Sequence, residues 1–366
     1  MSNPLQSTRI EFHILQSFPV SCLNRDDVGA PKNALIGGTQ RARVSSQCWK
    51  RAIRRTMKEM GVTIATRTCL VVDFVSAACR ERGATDEQAS ACGEALAKIL
   101  QKIKNKDEKS NTLIYISKAE TDAVAEFFKA HGFDADACDG KDLLKVLKSS
   151  QRFKGNVMDG VDIALFGRMV ASAPEVNVDA AVSVAHAIST HKAVSEVEFF
   201  TAVDDLKEDN DQQGAGHMGS LEFNAATYYR YISLDLGQLL ENLGGDADLD
   251  LTPVITSFTK ALFQAVPSAR QSTMTASPMW DYAKVLVRKG QRLQVSFEDA
   301  VKTTRVCPSL LKASKATLQK QLERQEKLSG SLFGKIADFE FGEDLDFSID
   351  DLADELAVEV QKLQHA

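Results

Sequence analysis

Apolar and polar residues alternate at several places along the chain, and this period of two predicts β-strands. Near the N-terminus the apolar positions are Ile10, Phe12 and Ile14. A later stretch adds aromatic enrichment to the alternation, which is also typical of strands. Because these stretches lie far apart, one sheet would be assembled from distant parts of the chain. The strands are predicted at residues 9–18, 222–236, 282–287 and 293–297.

Apolar residues at helical spacing predict that helices fill most of the remaining chain. The first predicted helix covers residues 46–60, with Ser45 and Ser46 available as its N-cap. Capping boxes that begin at Thr85 and Ser117 start two further helices. A sheet assembled from distant segments, with helices between and after those segments in the chain, predicts an α+β fold. The other helices are predicted at residues 141–152, 179–191, 252–265, 309–327 and 349–364.

The composition is that of an ordinary globular protein, with 44% hydrophobic and 26% charged residues in 366. No apolar run reaches the roughly 18 residues that a membrane helix needs, and the first residues lack the apolar segment of a signal peptide. The seven cysteines form no CxxC or zinc-like spacing. We therefore expect a cytoplasmic protein with reduced thiols, no membrane partner, no metal and no cofactor.

Charge is distributed very unevenly around a net value of −6. Residues 25–58 carry nine Lys or Arg and two acids, whereas residues 336–360 carry ten acids and no basic residue. The basic segment joins a loop containing Gly37 and Gly38 to the start of the first predicted helix. Phosphate binding is favoured by cations, by glycines that let the backbone approach closely, and by a helix N-terminus. Two alternatives stay open: a solvated basic face, or a scaffold surface that meets the acidic segment of another copy.

Known catalytic motifs are missing from the sequence, since it contains no P-loop, HExxH, GxSxG or GxGxxG. Adjacent acids at Asp26 and Asp27 could hold a divalent metal that activates water, which would make the protein a metal-dependent ribonuclease. Adjacent acids in a loop more often stabilise turns, so the metal-dependent ribonuclease is the alternative hypothesis and not the main one. A long Gly- and acid-rich loop is predicted at residues 204–220, and loops of this length are usually functional or disordered.

Several segments together resemble the CasC family, the backbone subunit of the type I-E CRISPR Cascade complex. They keep the family's order over roughly residues 9–246. The C-terminal third matches poorly. The matching stretches are SCLNRDD (21–27), RARVSSQ (41–47), KRA (50–52), LLKVLK (143–148), GVDIAL (160–165), GRM (167–169), AHAISTH (185–191), FFTAVDDL (199–206) and ENLGG (241–245).

The resemblance implies a hand-shaped, non-enzymatic subunit. Its palm would be like an RNA-recognition motif (ferredoxin-like) and use residues 1–62 and 224–366. A helical fingers insertion would cover residues 63–192, and a protruding thumb loop residues 193–223. Implied partners are the guide crRNA, target DNA, other Cascade subunits, and further copies in a head-to-tail filament.

The resemblance also implies roles for individual residues. Thr39 and Gln40 stand where the family has more basic residues, which weakens the phosphate binding expected of the loop before the first predicted helix. Residues implied to hold the guide backbone are Arg25, Lys32, Ser45, Ser46, Gln47, Lys50, Arg51 and Arg54. Residues implied to wedge against bases are Phe200, Thr201 and Met218 on the thumb and Met169 on a neighbouring copy. Residues implied to face target DNA are Lys141, Lys145 and Lys148 on one helix.

Overall fold

The computed structural model describes residues 3–102, 111–150, 158–202 and 217–365. In these ranges an antiparallel sheet of nine strands has the path β11-β10-β1-β9-β7-β3-β2, and β6 and β8 also pair with β9. The strands of this sheet are β1 (Thr8–Ser21), β2 (Asn33–Ile36), β3 (Thr39–Val44), β6 (Val182–Val184), β7 (Ala187–Ser189), β8 (Glu196–Ala202), β9 (His217–Asp235), β10 (Tyr282–Lys289) and β11 (Lys335–Phe341). A separate pair consists of β4 (Thr66–Thr68) and β5 (Ile114–Ile116).

Helices cover the sheet and form a second core beside it. Within the described ranges, none of them combines the length and apolar character that a membrane crossing requires. They are α1 (Ser46–Glu59), α2 (Val71–Glu81), α3 (Asp86–Gln101), α4 (Lys118–Ala130), α5 (Gly140–Ser150), α6 (Val161–Phe166), α7 (Leu236–Asn242), α8 (Thr252–Gln264), α9 (Gln271–Met274), α10 (Leu310–Ser329) and α11 (Ile349–Gln364), with 3-10 turns at Pro174–Val176 and Gly330–Phe333.

The central strand β1 is buried on both faces, between its neighbours β10 and β9. Its alternating residues Ile10, Phe12 and Ile14 enter the main core, which also holds α1, α8 and α11. The opposite face of the sheet packs against α10. There Glu11 of β1 is fully buried and accepts hydrogen bonds from Arg288 and from the hydroxyl of Tyr231. Ion pairing and hydrogen bonding compensate for burying this carboxylate.

A second, mainly helical core lies between residues 71 and 176, and we call this part of the chain the insertion. It contains α2, α3, α4 and α5. The first two pack very closely, because a Cβ at Gly93 would lie 2.5 Å from the carbonyl oxygen of Val72. The chain enters the insertion through β4, which follows α1, and first returns to the main core at α6. It then adds Val170, Ala173 and Val176 to the insertion core before it reaches β6.

Most elements predicted from periodicity are confirmed, and with them the α+β class. The strands predicted at 9–18, 222–236 and 282–287 correspond to β1, β9 and β10, and the helices predicted at 252–265, 309–327 and 349–364 to α8, α10 and α11. The helix predicted at 141–152 is α5, whose last two predicted residues lie outside the described ranges.

Two predicted elements are wrong, and the described end of a third differs from the prediction. The helix at 179–191 is instead the two short strands β6 and β7, both paired with β9. The segment 293–297 is buried at Val295 and Phe297 but forms no strand. The predicted loop at 204–220 ends earlier, because β9 begins at residue 217 and pairs with β8 as a two-stranded ribbon. Residues 203–216, which contain most of that predicted loop, lie outside the described ranges.

Candidate nucleic-acid interface

Helix α1 begins at a well-formed cap. The Ser45 hydroxyl accepts a hydrogen bond from the Cys48 amide at 3.3 Å, and the Ser45 amide donates to Oδ1 of Asn24 at 2.9 Å. The first bond satisfies an amide that would otherwise be unpaired at the start of the helix. The second bond ties the helix start to the preceding loop. Trp49 and Ile53 are buried in the main core, so the basic residues between them occupy the remaining sides of the helix.

The loop before α1 is shaped by Asp26. Its Oδ1 accepts hydrogen bonds from the amides of Val28 at 3.0 Å and Ala30 at 2.9 Å. This is the ordinary way in which an aspartate side chain stabilises a turn. The turn leaves the neighbouring Arg25 exposed beside α1.

A cleft of about 920 Å³ opens between this loop, α1 and residues 266–270. Four arginines line it, together with Asp26, Asp27 and Glu59. Two of the three acids have local partners, since Asp26 holds the turn and Glu59 lies 3.9 Å from Arg55. A polar cleft in which arginines outnumber free acids suits a chain of phosphates. The lining arginines are Arg25, Arg51, Arg55 and Arg270.

Arg270 and its neighbours were not predicted from the sequence. Ser268 lies 217 residues after Arg51 in the chain and accepts a hydrogen bond from Nη1 of Arg51 at 3.4 Å. Gln271 braces the segment by donating to the carbonyls of Pro267 at 3.0 Å and Ala276 at 2.8 Å. A lone arginine in a turn-rich stretch carries no pattern, so only the fold could bring Arg270 to α1.

Seven of the eight predicted phosphate-binding residues divide between the cleft and the start of α1, and Arg54 lies elsewhere. Arg25 and Arg51 line the cleft, whereas Lys32, Ser45, Ser46, Gln47 and Lys50 surround the N-terminal end of the helix outside the cleft lining. Lys50 is half-buried, and burial lowers the pKa of its ammonium.

Other arginines of the basic segment are engaged inside the protein. Arg41 is fully buried and donates to the carbonyls of Ser189 at 2.8 Å and Phe297 at 3.0 Å. Arg54 donates to the carboxylate of Asp162 and to a backbone carbonyl of the segment that enters the insertion. Burial raises the pKa of Asp162, and the adjacent Arg54 guanidinium opposes that rise. The phosphate role of Arg54 stays a prediction, and its guanidinium already has two internal partners.

The profile of the CT1975-like protein family matches residues 10–340. The chain belongs to the CT1975-like family. The family resemblance predicted from the sequence motifs is thereby confirmed. A search of curated proteins finds no match.

Solved structures resemble this CT1975-like protein over almost its whole length. A chain of a "CRISPR RNA-guided surveillance complex, pre-nicking" shares 29% identity with a TM-score of 0.78, and the match covers 96% of this chain and 99% of that chain. A chain of another "CRISPR RNA-guided surveillance complex" shares 23% identity with a TM-score of 0.70 and the same coverage, which supports the fold alone.

The ribbon of this CT1975-like protein places the predicted wedge residues on two faces. Phe200 pairs with Gly219, and Thr201 pairs with Met218. Because successive strand residues point to opposite faces, Phe200 lies on one face and Thr201 with Met218 on the other. A Cβ at Gly219 would lie 2.4 Å from Cζ of Phe200, so only glycine lets the ring lie flat across the ribbon. Phe199 shares the Thr201 face and is 78% exposed, which the sequence prediction missed.

The remaining predicted residues are exposed and lie in the insertion or next to it. Met169 is 82% exposed, although its neighbour Arg168 is buried. Helix α5 buries Leu143 and Leu147 in the core of the insertion. This leaves the predicted DNA-facing side chains in solvent, with Lys145 paired to Asp142 at 2.7 Å. The exposed lysines are Lys141, Lys145 and Lys148.

The CT1975-like chain offers no cluster for metal catalysis in its described ranges, where no group of three His, Cys, Asp or Glu could hold an ion. Asp27 is exposed and lies beside Asp26, whose oxygen already caps the turn. The arrangement therefore gives the ribonuclease alternative no support.

Proposed function

We propose that this protein is a guide-RNA-binding backbone subunit of a type I-E CRISPR surveillance complex, Cascade, and that it is not itself an enzyme. The observation that carries the proposal is the arginine-lined cleft at α1. Its lining comes from three separate segments, residues 23–29, 48–59 and 266–270. The near full-length likeness to a chain of an RNA-guided surveillance complex supports the same conclusion.

The chemistry of the cleft fits an RNA of any sequence. Guanidinium groups bind phosphate oxygens through paired hydrogen bonds, and such contacts do not distinguish one base from another. A guide whose sequence changes from one spacer to the next needs this kind of binding. Sequence recognition would then pass to base pairing between guide and target.

The proposed hand-like division follows the two cores only in part, because α6, β6 and β7 lie within residues 63–192 and pack with the main sheet. Residues 1–62 and 224–366 would form an RRM-like palm around the main sheet, and residues 63–192 the fingers around the core of the insertion. Residues 193–223 would form the thumb, whose described part is the ribbon of β8 and β9. The seven cysteines are all free thiols, which suits the proposed cytoplasmic location.

The exposed apolar residues suit contacts with bases and with another copy of the chain. Met169 of one copy would oppose the ribbon of the next, where Phe200, Thr201 and Met218 cover base faces without reading them. Repetition of such a head-to-tail contact builds a filament along the guide. The solvent-exposed lysines of α5 would contact target DNA through its phosphates.

Co-expression with partner subunits and a defined guide tests the proposal. The particle is purified at moderate salt and its nucleic acid is sequenced. We expect intact guide RNA, and we expect its recovery to fail when Arg25, Arg51 and Arg270 are all changed to Glu. Arg324→Glu on α10, which packs on the other face of the sheet, is the matched control.

Two other results would replace the proposal. A wild-type particle without RNA would favour a protein scaffold. RNA cut at regular intervals, and left intact when Asp26 and Asp27 are changed to Ala, would favour the ribonuclease.

A further inference from the structure

Arg54 lies on the RNA-cleft helix but points toward the insertion. It follows Arg51 by three residues in α1, yet it is not part of the cleft lining. Its Nε donates to the Asp162 carboxylate and its Nη2 donates to the carbonyl of Ala65. The side chain of Asp162 is almost completely buried, so this ion pair is shielded from solvent on the Asp162 side.

These bonds join α1 to the segment that leads into the insertion and to α6, where the chain first returns to the main core. Ala65 belongs to the segment that enters the insertion, and Asp162 belongs to α6. After α6 the chain contributes to the insertion core once more at residues 170–176, before it reaches β6. The two segments are also bonded to each other, because the Ala65 amide donates to Oδ1 of Asp162 at 2.8 Å and the Gly160 amide donates to the carbonyl of Thr63 at 3.1 Å. Arg54 therefore ties α1 to two segments that are also bonded to each other.

The contacts continue from this junction to Met169. The Arg54 guanidinium carbon lies 4.7 Å from the ring centroid of Tyr115, which is a cation–π distance. The carbonyl of Tyr115 accepts a hydrogen bond from Nη1 of Arg168 at 3.0 Å. The same nitrogen contacts the buried carboxylate of Glu120 at 2.7 and 2.9 Å. Met169, which the proposed function places against the neighbouring copy, is the next residue in the chain.

We propose that Arg54 and Asp162 form a latch that fixes the orientation of the insertion relative to the RNA-binding helix α1. Arg54 is then a positioning residue and not a phosphate contact. A planar guanidinium can donate hydrogen bonds to the carboxylate through Nε and to the carbonyl through Nη2 at the same time. A lysine ammonium cannot reproduce this two-pronged geometry. The latch deepens the proposed function, because it would set the spacing between the RNA cleft and Met169.

A distance measurement on the full chain without RNA tests the latch independently of guide binding. Spin labels are placed at Lys58 of α1 and Lys129 of α4, both exposed, and pulsed electron resonance gives the distribution of distances between them. The labels are attached through unnatural amino acids, because the chain has seven native cysteines. The variants are Arg54→Lys, Arg54→Ala and Asp162→Asn, and the matched control is Arg51→Ala on the same helix.

The latch predicts that all three variants broaden the distance distribution and that Arg51→Ala leaves it narrow. In a second assay, binding of single-stranded RNA is measured against salt. There the latch predicts an unchanged salt slope for Arg54→Lys and Arg54→Ala, whereas Arg51→Ala reduces the slope by about 0.7.

The opposite pattern would overturn the inference. A narrow distribution in Arg54→Lys, together with a slope lowered in Arg54→Ala as much as in Arg51→Ala, would make Arg54 a phosphate contact. If Arg54→Ala and Asp162→Asn do not fold, Arg54→Lys alone decides, because it keeps the charge and removes the fork. Absence of RNA binding by the wild-type chain would refute the proposed function without affecting the distance test.

Discussion

The salt dependence of RNA binding gives a quantitative test of the arginine-lined cleft. Four arginines line it, and each phosphate contact on single-stranded nucleic acid adds about 0.7 to the slope of log affinity against log salt. If all four bind phosphates, the slope is about −2.8, and affinity falls about 50-fold between 50 and 200 mM salt. Removing Arg51 and Arg270 halves the slope, so the same salt change should cost only about 7-fold.

Fluorescence anisotropy of a labelled single-stranded RNA at several salt concentrations measures this slope directly. Arg324→Ala serves as the control, since this exposed arginine of α10 lies on the helix that covers the opposite face of the sheet. We expect it to leave the slope unchanged. If the double variant Arg51→Ala/Arg270→Ala keeps the wild-type slope, or if Arg324→Ala lowers it equally, the cleft is not the phosphate site.

Three further predictions concern buried and packed groups. Glu120→Gln breaks the buried pair with Arg168 and should lower the free energy of unfolding by about 3–5 kcal/mol, measured by urea denaturation. Gly219→Val should displace the ring of Phe200 and disturb the spacing of nuclease protection on bound RNA, with an unfolding midpoint close to wild type because the ring end can move. Burial lowers the pKa of His13 from 6.5 to about 4. Between pH 4 and 6.5 the unfolded chain therefore binds a proton at His13 more readily than the folded chain does. The stabilisation is fully present above pH 6.5 and is lost as pH falls toward 4, by about 2–3 kcal/mol of unfolding free energy at pH 4.5. His13→Gln should flatten that part of the stability profile.

Long periodic elements could be predicted from the sequence because their pattern of apolar and polar residues repeats. β1 alternates apolar and polar residue types from Arg9 to Ile14, although it is buried on both faces, and α8 and α11 bury one face along several turns. The short strands β6 and β7 could not be predicted, since three residues define no period and the Ala- and Val-rich segment suits a buried helix equally well. Their strand form is decided by pairing with β9, which is a long-range contact.

The candidate site was predictable only in part for a related reason. Charge and spacing identified the basic helix, and the cap at Ser45 fixed where that helix begins. Neither feature shows which cations remain available to a ligand. Arg51 and Arg54 are three residues apart on one helix, but one lines the cleft and the other enters the junction with the insertion. Arg270 had no sequence pattern at all, and chain folding alone brings it to the cleft.

Two of the four buried arginines in the described ranges, Arg41 and Arg230, are satisfied by neutral acceptors, whereas Arg168 and Arg288 pair with buried glutamates. An arginine of the first kind changes what a basic segment means. Arg41 is held by backbone carbonyls, and Arg230 donates to Gln16 at 2.6 Å while its guanidinium lies 3.7 Å from the ring centroid of Trp49. Arginines bonded in this way need no nearby acid, so they leave a segment looking strongly basic although their charge is inside the fold. An excess of arginine over acid in residues 25–58 therefore overstates the surface available to RNA. The number of arginines that line the cleft, and not the number in the segment, should set the salt dependence of binding.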